Sequence, residues 1–175
     1  VPGERLGRGA VPPMSLAENG FLTAHWRVDL SRRGVVSGRR VAAFADRIIE
    51  QFRVATRSRG TAAQALSGGN LQRFIVGREV LSEPAVLVVA SPTWGVDVAA
   101  VAAIHAALVD LRDRGAAVVV MSEDLQELLS LSDRVAVLYR GRLSEPMPVS
   151  EATPERLGLL MAGSSAPRAE ADDAA

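Results

Sequence analysis

Ser67, Gly68, Gly69 and Asn70 stand directly before an amphipathic run, Leu71, Phe74, Ile75 and Leu81. A hydroxyl, two residues without side chains and an amide at the head of a helix suit an anion. The backbone comes close, unpaired N–H groups point outward, and the helix dipole favours negative charge. The chemistry open to such a turn is electrostatic, with preorganised donors aimed at a phosphate or another oxyanion. The same residues also make an ordinary helix cap with a glycine hinge, a choice that a short motif leaves open.

Other chemistry is narrowed by what the chain lacks. It has no cysteine, which removes disulfides, thiolate metal sites and thiol catalysis, and fits a reducing compartment. All 20 basic residues are Arg, so the P-loop pattern, whose lysine reaches the β- and γ-phosphates, occurs nowhere in this sequence. The formal net charge is zero, which disfavours a nucleic-acid partner. His25 and His105 have no second histidine or carboxylate at metal-ligand spacing, so no metal site is expected. Ser91 has no general base placed for it as a nucleophile. The pairs Arg32-Arg33 and Arg39-Arg40 read as a solvated face.

Residues 1–14, rich in Gly, Pro and Arg, predict a loop. Ser15 and Glu18 match a capping box, so a helix starts at Ser15 and runs to about Phe21. Arg32–Gly38 reads as a basic turn. Val41, Phe44, Ile48 and Phe52 recur at helical spacing and predict a helix over Arg40–Phe52. A polar connector, Arg53–Gln64, leads to a helix over Gly69–Ser82. Val86–Val89 and Ala117–Met121 read as strands buried on both faces, as in a parallel sheet. Between them Asp97 caps a long helix, Val98–Arg114, closed by Gly115. Then come a short helix (Leu125–Leu131), strands over Arg134–Tyr139 and Arg142–Glu145, and a last helix capped by Thr153 with Pro154 at its first position. Residues 164–175 read as a disordered tail. No apolar run approaches the ~20 residues of a membrane span. The first third is helical and the rest alternates strand and helix, which implies a parallel sheet with crossover helices. The chain opens mid-phrase at Val1-Pro2-Gly3-Glu4-Arg5 and reads as a piece of a longer one.

Leu66-Ser67-Gly68-Gly69-Asn70 resembles, residue for residue, the signature motif of ABC-type ATPases, in the form found in sugar and nucleoside importers. The resemblance extends over residues 1–162. Val1–Asn19 resembles the Q-loop region, and Ser91-Pro92-Thr93-Trp94-Gly95-Val96-Asp97 the section after the catalytic strand. Ser122-Glu123-Asp124-Leu125 resembles the switch section, and Ser132–Leu138 with Arg140-Gly141 the end of the core. The likeness is to the C-terminal part of the second, degenerate nucleotide-binding half of a simple-sugar or nucleoside importer subunit.

This implies an α/β fold, a partial RecA-like P-loop NTPase core with an N-terminal helical subdomain and the P-loop side absent. The implied domains are 1–65 (Q-loop region and helical subdomain), 66–163 (signature helix and C-terminal part of the ABC ATPase core) and 164–175 (disordered tail). Without the P-loop side, apolar sheet surface is expected to be exposed.

Departures from the family fall at its catalytic positions. Ala90 and Ser91 stand where the family has an Asp that orders Mg2+ and a Glu that directs water, and Glu123 replaces the switch histidine. Alanine offers no oxygen to a hard cation, and serine is a poor base. Gly3 or Glu4 stands where a metal-contacting Gln or Glu is expected, and Trp94 where the importers often have Arg.

In that family two halves pack head to tail around ATP. The resemblance therefore implies that Ser67, Gly68, Gly69, Asn70 and Gln72 contact an ATP in trans. ATP and Mg2+ would be held mainly by a P-loop-bearing partner half, with Asp97 at the dimer seam. It further implies membrane permease subunits as partners, with Trp26 as a permease contact, a solute-binding protein indirectly, and a place at the cytoplasmic face of the membrane. No activity is expected of this piece alone. A non-transport ABC ATPase of the translation or repair class, and an inactive remnant acting as an interaction module, remain as alternatives.

Overall fold

Side-chain caps set most helix starts. In the computed structural model, which describes residues 1–25 and 27–163, Ser15 opens α1 (Leu16–Ala24) through the predicted capping box. The Glu18 amide donates to Ser15 Oγ at 3.2 Å, and the Ser15 amide donates to the Glu18 carboxylate at 2.7 Å. Ser37 caps α2 (Gly38–Gln51), Ser67 caps α3 (Gly68–Leu81), Asp97 caps α4 (Val98–Asp113), Asp124 caps α5 (Leu125–Leu131) and Thr153 caps α6 (Pro154–Met161). Each side-chain oxygen accepts from an amide that the helix itself leaves unpaired.

The two hydrogen bonds from Ser15 hold the Glu18 carboxyl below its ordinary pKa. A depressed carboxylate stabilises the fold above its unfolded pKa and loses that contribution as pH falls through the folded one. Ser15→Ala is expected to cost about 1 kcal/mol and to weaken the acid-side loss of stability. Unfolding midpoints at neutral and acidic pH check both effects.

The chain forms two compact units, divided between Glu123 and Asp124. In the first, β3 (Val86–Ala90) and β4 (Ala117–Met121) pair in parallel, in register from Val86 with Ala117 to Ala90 with Met121. α4 makes the crossover between them, as the alternating pattern implies. Phe74, Ile75 and Val76 of α3 are fully buried. Phe74 and Val76 share a core with Leu16, Phe44 and Ile48 of the preceding helices, Leu87 and Val89 of β3, and Ile104, Leu108 and Leu111 of α4. At Gly77 an added Cβ would stand 2.5 Å from the Phe52 ring, so α2 and α3 pack at glycine distance there. α3 thus stands at the centre of this unit, and its N-terminus is placed by everything packed along it.

Three expectations need correction. Arg32–Gly38 is a β-hairpin, not a plain turn: β1 (Ser31–Arg32) pairs antiparallel with β2 (Val35–Val36). Arg33 and Gly34 both take positive φ, 53° and 80°, the conformation that a two-residue hairpin loop requires. Strands of two residues show no alternation to read. Second, β3 and β4 are not buried on both faces. Leu87 and Val89 lie inside, while Val86, Val88, Val119 and Met121 are 46–58% exposed. A continuous apolar run marks a strand that tolerates cover on both sides, and only one face receives it within this chain.

Third, Arg134–Tyr139 is not one strand. In the second unit β5 (Arg134–Val135) pairs antiparallel with β8 (Met147–Pro148), and β6 (Leu138–Tyr139) with β7 (Arg142–Leu143). Arg140 and Gly141, at φ 46° and 77°, make the hairpin turn expected there. β8 went unread in the sequence because Pro146 and Pro148 argue against a strand. Val135, Met147, Ala152 and Leu157 form this unit's own small core. The tail expected over 164–175 lies outside the described residues. Among the described residues no helix is long and apolar enough to cross a membrane.

Candidate functional site

At the head of α3 the backbone of Ser67 is extended and its side chain turns back over the helix start. Ser67 Oγ accepts twice from Asn70, at 2.9 Å from the amide nitrogen of the side chain and at 3.5 Å from the backbone N–H. A serine hydroxyl has one proton and two lone pairs. With its oxygen accepting from Asn70, the Ser67 hydroxyl keeps its own proton available to donate. The Asn70 carbonyl oxygen accepts from the Ala55 amide at 2.7 Å. Asn70, which lines the cleft, thus orients the serine and ties the connector to the turn.

Gly68 and Gly69 lie where side chains would not fit freely. A Cβ on Gly68 would sit 2.7 Å from Arg5 Nη1, and one on Gly69 would sit 3.0 Å from the Gly95 carbonyl oxygen. Ser67, Gly68, Gly69, Asn70, Arg73, Gly95 and Asp97 together line an open cleft of about 380 Å³. Asp97 caps α4 by accepting from the Ala100 amide at 3.0 Å, and pairs with the Arg73 guanidinium across the cleft. The amide of Ala100 chiefly, and Arg73 in addition, hold the Asp97 carboxyl below its ordinary pKa, so it is an anion at neutral pH. The cleft therefore offers a hydroxyl, the open N–H groups of a helix start and Arg73 as donors, with one carboxylate at its edge.

Gln72 is a correction. It is 1% exposed and does not face the cleft. Its amino group donates to the Ser91 and Pro92 carbonyls at 3.3 and 3.0 Å, and its oxygen accepts from Arg5 Nε at 3.0 Å. One residue after Leu71 on a helix, it projects away from the Ser67 turn toward the loop that follows β3.

Ala90 ends β3, and Ser91 follows it in the left-handed region at φ 46°, donating its amide to Met121. Glu123 stands exposed two residues beyond β4. These three positions thus belong to the carboxyl ends of the parallel strands, where α/β folds place ligands. A Cβ on Gly3 would touch Ala90, which brings the opening loop to the same strand end. The donor set there does not fit Mg2+, since alanine offers no oxygen and serine only a neutral hydroxyl to a hard cation. No group of three His, Cys, Asp or Glu among the described residues could hold a metal ion. His25 packs against Phe21, ring centroids 5.1 Å apart, and His105 is half-buried on α4. Trp26 lies outside the described residues. On the same helix, Phe21 packs on the core and Leu22 is exposed.

Sequence reasoning missed Arg5, which carries no local signal because it meets Gln72 across 67 residues of chain.

No family model matches the chain. It is 39% identical over 165 residues to the guanosine import ATP-binding protein NupO of Bacillus subtilis, an alignment that covers 94% of this chain and 32% of that protein. It is 37% identical over 163 residues to the nucleoside import ATP-binding protein NupA of Lactococcus lactis, covering 93% and 32%. With the ribose import ATP-binding protein RbsA 1 of Rubrobacter xylanophilus it shares 40% over 167 residues, covering 95% and 33%. The chain thus spans about a third of the length of the curated relatives it matches. Among solved structures, the ATP-binding subunit of an ABC transporter superposes with a TM-score of 0.72 at 18% identity, over 93% of this chain and 67% of that one. An ATP-binding cassette, solved as a dimer in a post-hydrolysis state with ADP and Pi, gives 0.69 at 22% identity over 83% and 61%. At such identities these two bear on the fold alone. Over nearly its whole length the chain is a homologue of the ATP-binding proteins of nucleoside and sugar importers, and it carries part of the ABC ATPase fold.

Proposed function

We propose that this chain is part of the ATP-binding subunit of an importer for nucleosides or simple sugars. Within that subunit it donates its Ser67–Asn70 turn to an ATP whose P-loop belongs to another half. What supports this is the Ser67 side chain, held by Asn70 at the head of α3, with Gly68 and Gly69 beside it lining the same open cleft. Asn70 accepts from Ala55 and donates to Ser67, so it fixes the serine and leaves direct donation to it. Arg73 adds positive charge to the cleft, and Asp97 keeps that charge in place at the seam between halves. Donors set before the reaction cost no reorganisation when charge develops on the transferring phosphoryl group.

The chain's own strand ends contribute no such chemistry. Ala90 and Ser91 lack the metal-ordering and water-directing carboxylates, and Glu123 would repel a phosphate. Mg2+ and most of the contacts to ATP therefore fall to the partner half. The subunit would lie at the cytoplasmic face of the membrane on permease subunits, and a solute-binding protein with the permease would select the solute.

The test uses the intact subunit with its P-loop-bearing half. Ser67→Ala is expected to lower ATP turnover on the order of 10²-fold, the loss typical of one preorganised donor. Ser67→Asp keeps a capping oxygen but sets a carboxylate against the phosphate, so it is expected to fail as badly while folding normally. Turnover unchanged in both variants would remove the donor role.

A further inference from the structure

We infer that Arg5 is a positioning residue that ties the head of α3, through Gln72 and beside Gly68, to the Trp94–Gly95 turn, holding the two walls of the cleft at a fixed separation; this rests on the donor role proposed above. The Arg5 guanidinium stands between those walls. Its Nε donates to Gln72 Oε1 at 3.0 Å and its Nη2 donates to the Trp94 carbonyl. Its Nη1 occupies the space beside Gly68, and both terminal nitrogens lie within 3.5 Å of where a Cβ on Gly95 would be. Gln72 in turn holds the Ser91 and Pro92 carbonyls. A buried glutamine and a planar fork of donors thus fasten the whole loop after β3 to α3.

The backbone of Arg5 is itself anchored. The Ala10 amide donates to the Arg5 carbonyl at 2.7 Å, and Gly9 donates to Glu4 at 3.1 Å, closing a tight loop. Ala10 is buried with Leu71 and Ile75, so this loop packs on α3 beside the site it serves. Burial lowers the Arg5 pKa from its ordinary value. An arginine nonetheless stays protonated in proteins, so the fork keeps all its donors. A second tie between the walls is Arg73 with Asp97, its guanidinium 16% and its carboxylate 61% exposed.

The opening loop also lies beside Ala90 through Gly3. Arg5 thus connects the segment at the strand end to the turn that faces the phosphate, and a shift in one displaces the other.

The experiment takes the intact subunit with Arg5→Ala, Arg5→Lys, Ser67→Ala, Gly68→Ala and the Arg5→Ala/Gly68→Ala double variant. It measures ATP turnover, KM for ATP, and amide hydrogen exchange over residues 67–70 and 94–97. Arg5→Ala is expected to lower kcat about tenfold to hundredfold with KM little changed, as misplacement of a catalytic group does. Exchange should rise in both turns together. Arg5→Lys should share the defect, because an ammonium cannot bridge the same acceptors as a fork. Gly68→Ala puts a Cβ 2.7 Å from Nη1 and expels the guanidinium, so it should add little once Arg5 is gone. Exchange unchanged in Arg5→Ala overturns the tie, whatever the turnover. Loss of turnover in Ser67→Ala but not in Arg5→Ala overturns the positioning role and leaves the donor role standing. Raised exchange in both turns with turnover untouched by Ser67→Ala supports the tie and overturns the donor role.

Discussion

Gly69→Ala is expected to lower ATP turnover of the assembled subunit about tenfold to hundredfold, as misplacement of a catalytic group does, while leaving its stability nearly unchanged. Gly69 lies in the first turn of α3. In a helix, Ala is favoured over Gly by about 1 kcal/mol, which argues for stabilisation. Against that, the new Cβ would stand 3.0 Å from the Gly95 carbonyl oxygen and 3.6 Å from Val96 Cα. Both neighbours are backbone and cannot rotate away as a side chain would. Either the Gly95–Val96 turn moves outward or the head of α3 tilts, and both displace the donors of the cleft. The two energetic effects oppose each other, so the unfolding midpoint stays near that of the wild type while the geometry changes. Gly69→Val adds two methyl groups to the same contact and should be worse on both measures. Wild-type turnover in Gly69→Ala would mean that the separation of the walls does not matter to the reaction.

Phe74→Ala is expected to destabilise the first unit by about 3–5 kcal/mol, the usual cost of emptying a buried phenylalanine site. Phe74 is fully buried in the core shared by the preceding helices, β3 and α4. Its ring reaches to 3.9 Å from where a Cβ on Gly20 of α1 would be. Helices packed on several sides cannot all move in to fill the space, so most of the cavity persists. Domains are stable by only about 5–15 kcal/mol, so a loss of this size is a large fraction of the whole. Phe74→Leu refills much of the volume and should lose clearly less. Thermal unfolding followed by near-ultraviolet circular dichroism separates the two, and a Phe74→Ala midpoint at the wild-type value would show that the core closes over the gap. Phe74 lies at the centre of the helix whose first turn faces the cleft, so its loss is also expected to weaken turnover at temperatures below the new midpoint.

The helices were legible because their ends are local events. Ser15 with Glu18, Asp97 with the Ala100 amide, and Thr153 before Pro154 each settle within four residues, and the structure follows them closely. β3 and β4 were legible as strands from unbroken β-branched runs. Which of their faces is covered was not, because a run of valines is the same whether a neighbour lies on one side or on both. The short hairpins escaped because two-residue strands have no period, although Arg140-Gly141 announced its turn.

The site divides in the same way. Ser67, Gly68, Gly69 and Asn70 were readable as an anion-facing turn because glycine freedom, capping and helix polarity are properties of adjacent residues. So was the lack of any lysine with which to build a P-loop. Only the tertiary structure turned Gln72 inward, gave Asn70 to Ser67 and Ala55, and brought Arg5 to Gly68 and Trp94 from the far end of the same unit. The sequence by itself determined which donors exist at the head of α3, since backbone conformation and capping act over one helical turn. Where those donors point, and how far the facing wall stands from them, depends on hydrogen bonds between residues up to 89 positions apart. Their partners are chosen by packing, and packing leaves no local trace in the order of residues.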